Sequence, residues 1–235
     1  MAEDIIAALG LSVEADGRLI LDGIALNVAA GRTLAVVGPN GSGKTTLLRA
    51  LAGLIPSTGD LRVGDHDPRL ASAAENARDR AYCAQKPTCA WDYRLDELGA
   101  ILGHAVAYEA WLARFGLADL GEQRLSVLSG GEQKAAHLAM TFATLSEPFG
   151  ATLLLDEPGA ALDLGRQETV RQAVAEFAQA GAACVVATHD LAYARKCDAV
   201  VVLGEGRMLA AGAPAEALTD AIIAATWGSG SWAES

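Results

Sequence analysis

Gly38-Pro39-Asn40-Gly41-Ser42-Gly43-Lys44-Thr45 separates a short β-rich run, Thr33 to Val37, from an amphipathic stretch, Lys44 to Leu54. Strand, glycine loop and helix follow in the order that a phosphate-binding turn requires. Small residues let consecutive backbone N–H groups turn inward around phosphate oxygens, where a Cβ would crowd the anion. The start of the helix adds its positive end. Lys44 is placed to reach the β- and γ-phosphates of a nucleoside triphosphate, and the Thr45 hydroxyl to coordinate Mg²⁺, with Thr46 next to both. A tight glycine turn with an exposed lysine is the plain alternative, and it leaves the complete pattern unexplained. The loop does not choose between ATP and GTP.

A second acidic element supports the first. Leu153-Leu154-Leu155-Asp156-Glu157-Pro158 is an apolar run ending in two carboxylates, the pattern of a parallel strand buried on both faces, with acids at the end where open α/β sheets bind ligands. Asp156 suits Mg²⁺, and Glu157, one residue on, can polarise an attacking water; a helix cap or a solvated loop end is the plain alternative for each. Ala182 to Ala187 is another buried strand ending at Thr188-His189-Asp190, so His189 is either beside the same phosphate edge or an ordinary loop histidine. Leu128-Ser129-Gly130-Gly131-Glu132-Gln133 precedes a helix and reads as a second anion-binding turn or as a plain Ser-Gly-Gly turn.

Around these stretches, Ile5 to Val13 and Leu19 to Val28 predict antiparallel strands about Asp16-Gly17, and Gly59 to Gly64 a further strand. Helices are expected over Ala71 to Arg80, through residues 95 to 118 with breaks at Gly103 and Gly116, and over Thr169 to Ala180, Leu191 to Lys196 and Pro214 to Ala225. Ala199 to Leu203 and Arg207 to Ala210 read as strands. The expectation is an α/β fold: a P-loop NTPase core with a mostly parallel sheet, a small antiparallel β subdomain and a helical insertion at about 88–146. Residues 1–227 form one domain on this reading, and 228–235 a frayed tail.

Composition narrows the function. The 235 residues are 51% hydrophobic and 20% charged, which excludes the disordered and fibrous classes. A net charge of −11 argues against nucleic acid as a partner. Cys83, Cys89, Cys184 and Cys197 lack metal-site spacing and read as buried free thiols. The first nine residues carry Glu3 and Asp4 without Lys or Arg, unlike a secretory signal, and no apolar stretch nears membrane-spanning length, so a cytoplasmic location is expected.

Taken in order, Gly38 to Thr45, Gln85, Leu128 to Gln133, Leu153 to Glu157, Ala161-Leu162-Asp163 and Thr188-His189-Asp190 make the sequence resemble the ATP-binding-cassette family over about residues 5 to 225. The resemblance implies an ATPase using ATP and Mg²⁺, with Gln85 sensing Mg²⁺ and the γ-phosphate. It implies that Ser129, Gly130, Gly131 and Glu132 cap ATP held by a second copy in a head-to-tail dimer, that Asp163 crosses that interface, and that His189 contacts the γ-phosphate. It also implies a separate multi-helix membrane permease, docked through residues 86 to 115, a place peripheral on the cytoplasmic face of the membrane, and an extracytoplasmic solute-binding protein acting through the permease. Trp91, Tyr93 and Trp111 are either docking anchors or small-core packing.

Departures from the family pattern are visible. Ala15 stands where an adenine-stacking aromatic is usual, leaving Tyr82, Tyr93 or a backbone shelf to substitute; Ala135 stands where arginine is common, beside Lys134. Gly159 and Ala160 replace hydroxyl-bearing residues, and the span from Gln85 to Ser129 is short for an importer. The segments Gly206 to Met208 and Gly212 to Thr219 resemble cassettes that energise metal-chelate uptake, including iron siderophores, haem and cobalamin. Another small-solute importer, an exporter, a soluble non-transport cassette and a nonenzymatic nucleotide switch are the alternatives.

Overall fold

The computed structural model describes residues 3–87 and 92–228; Cys89, Trp91 and the tail beyond Gly228 lie outside the described residues. The chain opens with β1 (Asp4–Ala15) and β2 (Arg18–Ala29), joined where Asp16 and Gly17 both take positive φ. After β3 (Thr33–Val37) and α1 (Lys44–Leu51), β4 (Thr58–Val63) returns to pair with β1, giving an antiparallel sheet of order β2-β1-β4.

Next come α2 (Ala73–Asp79), β5 (Arg80–Cys83), α3 (Leu95–Ile101), α4 (Ala105–Arg114) and α5 (Gly130–Thr144). They are followed by β6 (Thr152–Asp156), α6 (Leu164–Gln179), β7 (Ala183–Ala187), α7 (Leu191–Ala194), β8 (Ala199–Gly204) and β9 (Arg207–Gly212). Helices α8 (Pro214–Ala217) and α9 (Asp220–Trp227) close the chain. The main sheet has the order β5-β6-β7-β3-β8-β9, parallel throughout except for the antiparallel β8–β9 pair. This is the P-loop NTPase-like α/β fold expected, with its small antiparallel sheet.

Strands β6 and β7 lack polar alternation because both faces are covered. Leu153 and Leu155 join a cluster with Leu138, Phe142 and Val174 from α5 and α6, whereas Leu154, between them, joins Leu47, Leu51 and Ile24 on the other face. Side chains that alternate across a strand therefore all end in core. The third cluster packs Val200 and Val202 of β8 on Leu218 and Ile223 near the carboxyl end. Placing β3, the first strand of the main sheet in sequence, between β7 and β8 creates a topological switch point, with a crevice outside the carboxyl ends of the strands.

Several local expectations need correction. The helix read over Ala71 to Arg80 stops at Asp79, and Arg80–Cys83 is a sheet-edge strand instead. Arg80 is buried there and donates to the Ala52 carbonyl at 3.2 Å, a partner that sequence periodicity cannot foresee. Helix α6 starts at Leu164 rather than Thr169, because the Asp163 side chain caps it. The closing helix divides at Leu218 and Thr219, and Thr219 caps its second piece. Trp111 and Tyr93 pack against the helical cluster; Trp111 lies 4.8 Å from Phe142 and 6.0 Å from Phe177 between ring centroids. Cys83, Cys184 and Cys197 are buried free thiols.

Candidate nucleotide site

The loop after β3 is compressed in a way that only small residues permit. A Cβ on Gly38 would run into the Leu203 carbonyl and lie 2.6 Å from Ser42 Oγ. Gly43, at φ 102°, caps α1, and a Cβ there would lie 2.6 Å from the Leu21 side chain. The loop leans on β8 and the first hairpin, so its shape is set by tertiary contacts as well as by its own residues. Gly38→Ala should cost about 1–3 kcal/mol through overpacking. Thermal unfolding tests this: a variant as stable as the parent would show that the loop can relax away from Leu203.

Within the loop, Lys44 is buried and its Nζ donates to the carbonyls of Gly38 at 2.8 Å and Pro39 at 3.1 Å. Burial holds this ammonium below its ordinary pKa, while Glu157 and Asp156 pull it back up. Ser42 Oγ is buried without a hydrogen-bond partner among the described residues. Pro39 and Thr46 are half-buried, and Asn40, Gly41 and Thr45 are exposed at the mouth.

Strand β6 delivers the acids. Asp156 is fully buried, and among the described residues neither of its carboxylate oxygens has a hydrogen-bond partner. Burial pushes its pKa up from the ordinary carboxylate range; the Thr45 hydroxyl beside it pulls it back, Glu157 adds to the rise, and Lys134 and Lys44 oppose it. An orphaned buried carboxylate facing a threonine hydroxyl, beside a loop that a Cβ would fill, fits a Mg²⁺ ion.

Glu157 follows at φ 45°, a left-handed backbone that turns it away from the strand path, and its N–H donates to the Ala187 carbonyl at 2.9 Å. Its side chain is 9% exposed, and Oε2 lies 2.8 Å from Nδ1 of His189, whose own side chain is 74% exposed. A carboxylate oxygen accepts, so the proton at that contact sits on Nδ1, and the rest of the ring reaches outward. The loop carrying His189 is held by Asp190, which caps α7 through the Tyr193 N–H and takes an Arg171 Nη2 at 2.9 Å. A cavity of about 950 Å³ opens beside Glu157 and His189.

Other residues expected in the site lie elsewhere on the chain. Ser129 caps α5 in a reciprocal capping box: Glu132 Oε2 accepts from the Ser129 N–H at 2.9 Å and from its hydroxyl at 2.6 Å. Among the described residues no hydrogen bond joins residues 129–131 to residues 38–46. Gly131 sits against the loop after Glu157, where an added Cβ would lie 2.7 Å from the Ala161 carbonyl. Asp163 caps α6 through the Arg166 N–H at 2.9 Å and keeps its side chain 61% exposed. Gln85 is exposed beyond the end of β5. Tyr82 and Tyr93, considered as adenine shelves, are partly buried against the core clusters.

A contribution the sequence left open is that of Lys134. It is 4% exposed and donates to carbonyls of Ala84 at 2.8 Å, Gln85 at 3.1 Å and Asp156 at 3.4 Å. The sequence signal was a lysine beside Ala135, the position where the family commonly carries arginine, on a helix that must pack.

The model of the ABC transporter family matches residues 21–160. A hemin import ATP-binding protein from Rhodococcus jostii is 36% identical over 93% of this chain and 78% of its own length. Another with the same description, from Streptomyces coelicolor, is 39% identical over 94% and 82%. A solved ATP-binding subunit of an ABC transporter superimposes with a TM-score of 0.80 over 89% of this chain and 90% of that one, at 23% identity, which speaks for the fold alone. The chain belongs to the ABC transporter family, as an ATP-binding subunit. In this family ATP and Mg²⁺ are the working ligands and ATP hydrolysis drives transport. No helix among the described residues is long and apolar enough to cross a membrane.

Proposed function

We propose that this chain hydrolyses ATP to energise import of a metal chelate of the hemin type, working on the cytoplasmic face of a membrane as one of two identical cassettes. The Glu157–His189 contact beside the phosphate loop carries the chemical half of this reading. Relatives described as hemin import proteins, with the carboxyl-terminal likeness to chelate cassettes, support the substrate half. Residues 1–227 act as one cassette, with about 88–146 as its helical arm, and an extracytoplasmic solute-binding protein delivers the chelate to the permease.

In this mechanism the backbone N–H groups of residues 38–45 cradle the phosphates, and Lys44 leaves its two carbonyl partners for the β- and γ-oxygens. Thr45, Asp156 and Gln85 would hold Mg²⁺, which would supply positive charge against the charge that develops on the transferred phosphoryl group. Glu157 orients the water in line with the γ-phosphate, while His189 stays tied to Glu157 through Nδ1 and presents its other ring edge to the γ-phosphate. The exposed Ser129, Gly130 and Asp163 serve the partner cassette, so nucleotide joins two chains that lack a complete site alone.

Co-expression with candidate permeases tests the reading. The expected result is a complex whose ATPase rate rises several-fold when a hemin-loaded binding protein is added to the reconstituted assembly. Stimulation by an unrelated solute and none by hemin would defeat the substrate half and leave the ATPase half standing.

A further inference from the structure

We propose that Lys134 is a positioning residue: its buried ammonium carries the β5–β6 contact past the end of the sheet and holds the Gln85 segment over the acidic end of β6. The parallel register between these strands ends at Cys83 and Leu155. One step further, Ala84 would face Asp156, and there Lys134 takes over. Its Nζ bonds the carbonyls of Ala84 and Asp156, one from each strand, and the Gln85 carbonyl as well. An ammonium has three donors, and these three acceptors use all of them.

Removing such a charge from water costs several kcal/mol unless its surroundings compensate. Burial depresses the Lys134 pKa, while Cys83, Asp156 and Glu157 oppose that shift. Lys134 also sits on the first turns of α5, the helix that Ser129 caps. One side chain thus joins the Ser129–Gly131 turn, the Gln85 segment and the acidic strand end. The consequence rests on the proposed Mg²⁺ role of Gln85: with the tether cut, Gln85 loses its fixed backbone, and the metal loses a ligand.

The test uses the full chain with Mn²⁺ as the metal probe, its affinity read by electron paramagnetic resonance with ATP present. Lys134→Met, which fills the space without donors, should weaken Mn²⁺ binding and lower kcat, each by about tenfold or more, the size expected for a lost outer-shell partner. Lys134→Gln, whose amide can still donate to the carbonyls, should recover most of both. Metal-free binding of a fluorescent ATP analogue should stay near wild type in both variants. Wild-type Mn²⁺ affinity in a folded Lys134→Met protein would overturn the proposal, as would equal losses in the two variants. If Lys134→Met does not fold, Lys134→Ala takes its place as the donor-free variant: a loss there that Lys134→Gln recovers supports the tether, and wild-type affinity or a loss equal to that in Lys134→Gln refutes it. Gln85→Ala also separates the two readings, because unchanged Mn²⁺ affinity there removes the Mg²⁺ role of Gln85 itself.

Discussion

Glu157→Gln protein is expected to bind ATP as the parent does, to hydrolyse it about 10²–10⁴-fold more slowly, and to accumulate as a nucleotide-bound dimer. The amide has the size of the carboxylate, so the site at the end of β6 keeps its packing with Glu157 only 9% exposed. It can also still accept from His189 Nδ1 through its oxygen, which preserves the 2.8 Å contact that holds the imidazole. What disappears is the negative charge that polarises water, and the neighbouring Asp156, fully buried and assigned to the metal, does not replace it. Binding and hydrolysis should therefore separate. Phosphate release, filter binding of labelled ATP and size-exclusion chromatography with MgATP read the three quantities. Steady-state hydrolysis within twofold of the parent would remove Glu157 from the water-activating role, and loss of ATP binding would show that the carboxylate shapes the site.

The parts of the site legible in sequence were those carried by local chemistry. Residues 38 to 45 have no reason to be so small unless an anion or a backbone approaches them, and the structure supplies the backbone side of that argument at Gly38 and Gly43. The run ending at Asp156 and Glu157 had to be a doubly covered strand, since its Leu residues could not alternate between core and water. What could not be read depends on distant partners. Four residues of β5 are too few to show a period, and Arg80 within them looks like a helix end until Ala52 offers its carbonyl. Trp111 looked equally fit for a surface or a core, because only the positions of Phe142 and Phe177 decide the matter. Lys134 posed the same problem more sharply, since its three acceptors come from segments about 22 and 50 residues away. The double role of Ser129 is legible in part: Ser-x-x-Glu announces the cap. Whether the same turn faces nucleotide depends on a second chain.

Asp156→Asn should move stability and activity in opposite directions. The carboxylate is fully buried with both oxygens unpartnered, and burial raises its pKa. A carboxyl group with a raised folded-state pKa imposes no penalty below its unfolded value, where both states are protonated, and destabilises the fold increasingly as pH rises through the folded value. At neutral pH the amide removes the buried charge but stays an unpartnered polar group, so the nucleotide-free variant should be more stable by about 1 kcal/mol, the extra cost of leaving a charged rather than a neutral group unsatisfied. This is a rise of about 2–4 °C in melting temperature for a chain of this size. The gain should shrink as pH falls and vanish below about pH 4, the unfolded value of an aspartate. MgATP should reverse the order: at 100 times its dissociation constant it stabilises the parent by about 2.7 kcal/mol. The variant, lacking its metal ligand, should gain much less and lose about 10²-fold or more in hydrolysis, the several kcal/mol that metal assistance supplies. Scanning fluorimetry from pH 4 to 8, with and without MgATP, reads all of this. A nucleotide-free variant no more stable than the parent at pH 7 would mean that the cavity around Asp156 already compensates its charge, and the case for a cation-hungry carboxylate at the end of β6 would fall with it.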